Sequence, residues 1–189
     1  MRHFRPTQEG WLRATPSEET LKWARRVEAE GDRTKPNDML NFSERRYQGF
    51  VAERAFDTWL EHEQMSRVWN GQTDPKPDFE LGLIGVGVKC CGSMRRWRPQ
   101  LVVNVYERHR EHPLQELFFV GFEHPGAVKR DGPTVVLLGG LPAEAYFARA
   151  TFVRAGGQLN PRVIAENDVW NLQTSELQPP DEWLGRVRQ

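Results

Sequence analysis

The residues with the clearest chemical potential lie in the stretch Pro77-Asp78-Phe79-Glu80-Leu81-Gly82-Leu83-Ile84-Gly85-Val86-Gly87-Val88-Lys89-Cys90-Cys91. Apolar residues on either side of a glycine-bearing bend read as two short strands, Phe79 to Leu81 and Ile84 to Cys90, joined as a hairpin. Side chains alternate along a strand, so Asp78 and Glu80 share a face, as do Gly87 and Lys89. If the strands pair, Asp78 and Lys89 meet at one end of the sheet. A lysine flanked by Val86, Val88 and Cys90 is then half-buried beside an acid. That arrangement serves either as a structural ion pair or as reactive machinery. A second acid, Glu53, precedes the hairpin on a helix. At about 100° per residue it falls among Gly49, Phe50, Phe56 and Leu60. A carboxylate on such a stripe must be paired, bind something, or reach solvent at the border.

The hairpin leads directly into Ser93-Met94-Arg95-Arg96-Trp97-Arg98. Three arginines can hold phosphates, and the interleaved Trp97 can stack on a base or sugar. The alternative is a solvated basic loop with Trp97 tucked against the core. Other groups carry less. His109 and His112 are three apart but lack an evident third ligand. The glycines of Leu81 to Gly87 have no lysine–serine pair and no following helix, so they form no phosphate-binding loop. Cys90 and Cys91 are the only cysteines. As strand neighbours they face opposite ways, which makes them poor disulfide partners, and two are too few for a cysteine-rich zinc site.

The elements that must position these groups follow from the pattern around them. With 189 residues, the chain suits one domain with a real core. Residues 1–42 read as an N-terminal helical extension. Thr15 is the expected N-cap, with Pro16 at the first helical position and Glu18 closing a capping box; the helix runs to about Glu30. Ser43 is expected to cap a second helix through Gln64. The period then changes to strands at Leu101–Tyr106, Leu117–Phe122 and Thr134–Leu138, with a turn at Gly139–Pro142. Ala143–Arg149 reads as a helix, Val169–Leu172 as an edge strand, and Glu182–Leu184 as a last helical turn. The expected fold class is α+β: a central mixed β-sheet flanked by helices, in an α/β/α-like arrangement.

An acid on a helix, an acid opening a hairpin and a lysine closing it together resemble the PD-(D/E)XK nuclease superfamily. The matching residues are Gly49 to Glu53, Pro77-Asp78 and Gly87-Val88-Lys89. The later strands, the helix Ala143–Arg149 and the tail Asn171–Leu184 follow in the order of its small bacterial and phage members. The resemblance implies a restriction-endonuclease-like core over 43–184 and DNA phosphodiester hydrolysis with Mg²⁺ or Mn²⁺. It implies Asp78 and the Val88 carbonyl as metal ligands, Glu53 as the holder of a second metal or a metal-bound water, and Lys89 as the group that orients water and offsets charge; Glu80, on the face of Asp78, is a candidate extra ligand. It implies DNA as partner and admits a homodimer. Gly87 departs from the pattern, which has an acid there. Either Glu80 or Glu53 replaces that acid, or the protein binds nucleic acid without cutting it, or the acid was lost by drift or design.

Composition sets outer limits. Lysine plus arginine equals aspartate plus glutamate, 26 each, so only a local patch can favour nucleic acid. No run nears the ~18 apolar residues of a membrane span. The N-terminus lacks the apolar core of a secretory signal, and the few cysteines suit a reducing compartment, so a cytoplasmic location is expected.

Overall fold

The structure is a computed structural model that describes residues 3–30, 42–70, 76–123, 134–160 and 163–189, with side chains described except at 30, 42–46, 160 and 163. The chain opens with two short strands, β1 (Arg5–Pro6) and β2 (Leu12–Ala14), inside the segment expected to be a helical extension. Helix α1 spans Glu18–Glu30. Its cap is Ser17, not Thr15: the Ser17 hydroxyl accepts the Thr20 amide at 3.2 Å, three residues into the helix. Helix α2 spans Phe42–His62, so Ser43 lies inside its first turn rather than before it. Past its end, Gln64 has a φ of 55°, which lets the Met65 amide reach back to the Leu60 carbonyl.

The strands follow: β3 (Val68–Trp69), β4 (Phe79–Leu81), β5 (Ile84–Met94), β6 (Val102–Tyr106), β7 (Glu116–Glu123) and β8 (Thr134–Pro142). Helix α3 (Ala143–Arg149) leads to β9 (Thr151–Val153), β10 (Gln158–Asn160), β11 (Val163–Ile164) and β12 (Val169–Gln173); helix α4 (Pro180–Val187) comes last. The central sheet has the order β1-β2-β8-β7-β5-β4-β3. Its one parallel pair is β5 with β7; the other neighbours are antiparallel. The α+β expectation of a central mixed sheet therefore holds.

Two differences matter. The expected turn at Gly139–Pro142 is strand, because β8 continues to Pro142 with a bulge opposite Phe119–Val120. Gly139 has φ +114°, and a Cβ there would meet the Gln178 carbonyl oxygen at 1.9 Å, so glycine admits the passing chain. Val169–Leu172 is not an edge strand either. β12 is the middle of a second, three-stranded sheet, β6-β12-β9. The sheet thus separates two cores. On one face, α1, α2 and α4 pack Phe56, Trp59 and Trp183 onto Val86, Val88, Phe118 and Leu137. On the other, α3 and the small sheet bring Tyr146, Val103 and Leu172 onto Leu117, Phe119 and Leu138. Phe56 joins the layers of the first core, with ring centroids 5.1 Å from Phe79, 4.6 Å from Phe118 and 5.8 Å from Trp183.

Candidate active site

The hairpin turns on Gly82-Leu83. Gly82 has φ +63° and Leu83 does not share the positive φ, the pattern of a two-residue type II′ turn. Leu81 opposite Ile84 is then the hydrogen-bonded closing pair, and Phe79 opposite Val86 repeats it. By the same alternation Val88 turns both its N–H and its C=O toward β4. The ladder with β4 stops at Phe79, and Asp78 takes over: its Oδ2 accepts the Val88 amide at 2.7 Å. The Asp78 backbone carbonyl also accepts the Asn70 amide at 3.0 Å. A carboxylate thus sits at the strand edge, one residue from Lys89.

Lys89 pairs in register with Phe119 and faces the second core. It is half-buried, and among the described residues it forms no ion pair. Its chain lies back over Gly87: a Cβ at Gly87 would be 3.4 Å from Lys89 Cε and 2.7 Å from Leu114 Cδ1. Gly85 is covered similarly, its amide donating to Gln115 Oε1 at 2.6 Å. The pair Leu114–Gln115, entering β7, therefore roofs β5 at both glycines. That gives Gly87 a packing reason of its own, since an acid there displaces Leu114. Glycines at alternate positions of one strand are the sequence signal for such a crossing.

Of the other expected ligands, Glu53 lies across the sheet and Glu80, on the face of Asp78, is bonded to Asn70. Glu53 is 5% exposed on α2, beneath the opposite face of the sheet from Lys89, and accepts the Trp69 Nε1–H at 3.0 Å. Trp69 in turn stacks on Phe79, 6.1 Å between centroids at 8°. Glu80 accepts from Asn70 Nδ2 at 2.9 Å. Trp69 and Asn70, which sequence reasoning missed, thus occupy both extra acids. Among the described residues no three His, Cys, Asp or Glu side chains converge to hold a metal. The Asp78 carboxylate and the Val88 carbonyl are two hard oxygen donors on one edge. Mg²⁺ takes one or two carboxylates and keeps several waters, so this pair fits a single ion. The larger set with Glu53 and Glu80 does not fit.

The basic loop is divided. Arg95, Arg96 and Arg98 are exposed and, with Met94 and Leu101, line an open depression. Trp97 is 0% exposed and cannot stack on a base, which corrects the expectation for it. Its Nε1–H donates to the Phe122 carbonyl at 3.1 Å and its backbone N–H to Glu123 Oε1 at 2.8 Å. The ring lies on Gly121, where a Cβ would come within 2.3 Å of it. Glu123 is also held by Arg13, at 2.8 and 2.9 Å. A Thr7 hydrogen bond holds the nearby Glu9 carboxyl below its ordinary range, with Arg13 and Arg96 adding to the effect. Cys91 is pushed well up by burial and is an inert thiol, and neither cysteine is in a disulfide.

No family model, curated protein or solved structure matches this chain.

Proposed function

We propose that the Asp78–Lys89 corner hydrolyses phosphodiester bonds in DNA with a divalent cation, Mg²⁺ or Mn²⁺. The observation that carries this reading is the 2.7 Å bond from the Val88 amide to Asp78, which fixes a carboxylate beside a strand carbonyl and next to a lysine with no ion pair among the described residues. Asp78 and the Val88 carbonyl would hold the cation, which when bound would offset negative charge on the phosphoryl oxygens. The Lys89 ammonium orients the attacking water and stabilises charge that grows in the transition state. Arg95, Arg96 and Arg98 bind phosphates of the same strand farther along, and Trp97 holds their loop in place from within.

A second reading is favoured by the roof over Gly87 and by the spread of Glu53 and Glu80: the corner binds DNA and does not cut it. The test is cleavage and binding of an end-labelled panel of duplex, single-stranded, flapped and four-way DNA with Mg²⁺ or Mn²⁺. Cutting that disappears in Lys89→Ala and Asp78→Asn supports hydrolysis at this corner. Binding without cutting, with cutting gained by Gly87→Glu combined with Leu114→Ala, supports the second reading. A chain that neither cuts nor binds DNA overturns both.

A further inference from the structure

Next to the corner, the turn after β6 and helix α3 enclose a groove of about 350 Å³. One wall carries His109, Arg110 and His112; the other is α3, which presents Glu144 and Phe147, three residues apart on one helical face. Leu114 lines the groove and also covers Gly87, so a single side chain stands between the groove and the corner. The Arg110 guanidinium on this wall is preorganised. Arg110 lies 5.2 Å over the Trp170 ring and within 3.6 Å of Glu107, and its amide donates to the Glu107 carbonyl at 2.9 Å. A guanidinium stacked on a ring keeps in-plane N–H donors at its edges, the geometry that phosphate oxygens accept.

We infer that this groove is a subsite for one unpaired nucleotide of the DNA strand, so that the protein engages single-stranded or frayed DNA in preference to continuous duplex; the inference rests on the DNA-directed reading above. The volume lies in the range of small-ligand pockets and accommodates a base with its sugar. Phe147 offers an aromatic surface on which any base can stack. Glu144 accepts from an exocyclic amine and repels phosphate, which places the phosphate at the Arg110 wall and the base along α3. A base inside a duplex is stacked and paired, and it enters such a groove only after being pulled out.

The experiment is fluorescence anisotropy of a labelled oligonucleotide, single-stranded and as duplex, with EDTA present so that cutting plays no part. Wild type, Phe147→Leu and Arg110→Gln are compared, with circular dichroism confirming the fold. The expected result is single-strand binding about tenfold tighter than duplex, weakened about tenfold by Phe147→Leu with little change on duplex. Arg110 is exposed, so Arg110→Gln folds and reads the same subsite if Phe147→Leu does not. Equal affinity for the two DNA forms, or single-strand binding unchanged in both variants, overturns the subsite and leaves the DNA-directed reading standing. Absence of binding to either form overturns both.

Discussion

The two ends of β7 treat charge differently from the open end of β4. At one end Glu116 is 4% exposed and accepts from Trp183 Nε1 at 2.9 Å and from Arg186 at 2.6 and 2.7 Å. At the other, Glu123 accepts from Arg13 and from the Trp97 amide. Each is a buried acid closed by a bidentate arginine and a tryptophan N–H. At the β4 end, Asp78 takes a backbone amide, and Lys89 beside it has no ion pair among the described residues. A charge removed from water has to be matched, and the β7 clasps are matched. Lys89 stays half in solvent, where its charge is tolerable unmatched and remains available to a phosphate.

The largest expected effect follows from breaking a clasp. Glu116→Ala leaves the Arg186 guanidinium and the Trp183 Nε1–H facing a hole, and loss of one partner of a buried pair costs about 3–5 kcal/mol. Urea unfolding measures it. Asp78→Asn retains an oxygen for the Val88 amide, so its expected loss is within about 1 kcal/mol. Equal destabilisation by the two substitutions would erase the contrast between clasp and corner.

Lys89→Ala comes next and tests the other half of the comparison. Hydrolysis of the best DNA in the panel is expected to fall about a hundredfold or more. Stability is expected to change by less than about 1 kcal/mol, since no buried partner is left behind. A drop in activity that tracks a drop in melting temperature would make Lys89 structural.

Gly121→Ala reaches the Glu123 clasp from below. Its Cβ would meet Trp97 ring atoms at 2.3 to 2.6 Å, and Trp97 is fixed at both its nitrogens. A buried ring that cannot turn away implies a loss of about 1–3 kcal/mol from overpacking. DNA affinity should fall with it, because the displaced ring carries Arg96 and Arg98 on its neighbours. Unchanged affinity in a destabilised Gly121→Ala protein would detach the arginine loop from the proposed DNA path.

Local signals were legible in the sequence and long-range ones were not. The hairpin, the strands at β7 and β8, and helix α3 are announced by period and by the glycine bend. Asp78 and Lys89 could be placed on one hairpin because register follows from a two-residue turn. The second sheet was hidden, since nothing in Val102–Tyr106 or Val169–Gln173 says which sheet a strand joins. Trp97 among three arginines reads as a stacking residue until Gly121, on a strand distant in sequence, shows where the ring goes. Glu53 was rightly singled out as an acid on an apolar stripe, but its partner Trp69 lies in a two-residue strand too short to detect by alternation. Gly87 read as a missing acid because Leu114, which covers it, comes from the far side of a crossover.

That crossover gives the smallest effect and the finest version of the contrast. A Cβ at Gly87 meets Leu114 Cδ1 at 2.7 Å, only slightly looser than the 2.3 to 2.6 Å at Gly121. The neighbour differs, however. Leu114 Cδ1 is the far end of a rotatable, half-buried side chain, whereas the Trp97 ring is buried and bonded on two sides. Gly87→Ala should therefore cost less than about 1 kcal/mol, with Leu114 turning toward the groove it borders. Removing the Leu114 side chain as well, in Gly87→Ala with Leu114→Ala, should make the Gly87→Ala step itself neutral in a double-mutant cycle. A large loss in Gly87→Ala that Leu114→Ala does not relieve would mean that the roof over β5 is as rigid as the clasps on β7, and that the corner has no room for a side chain at this position.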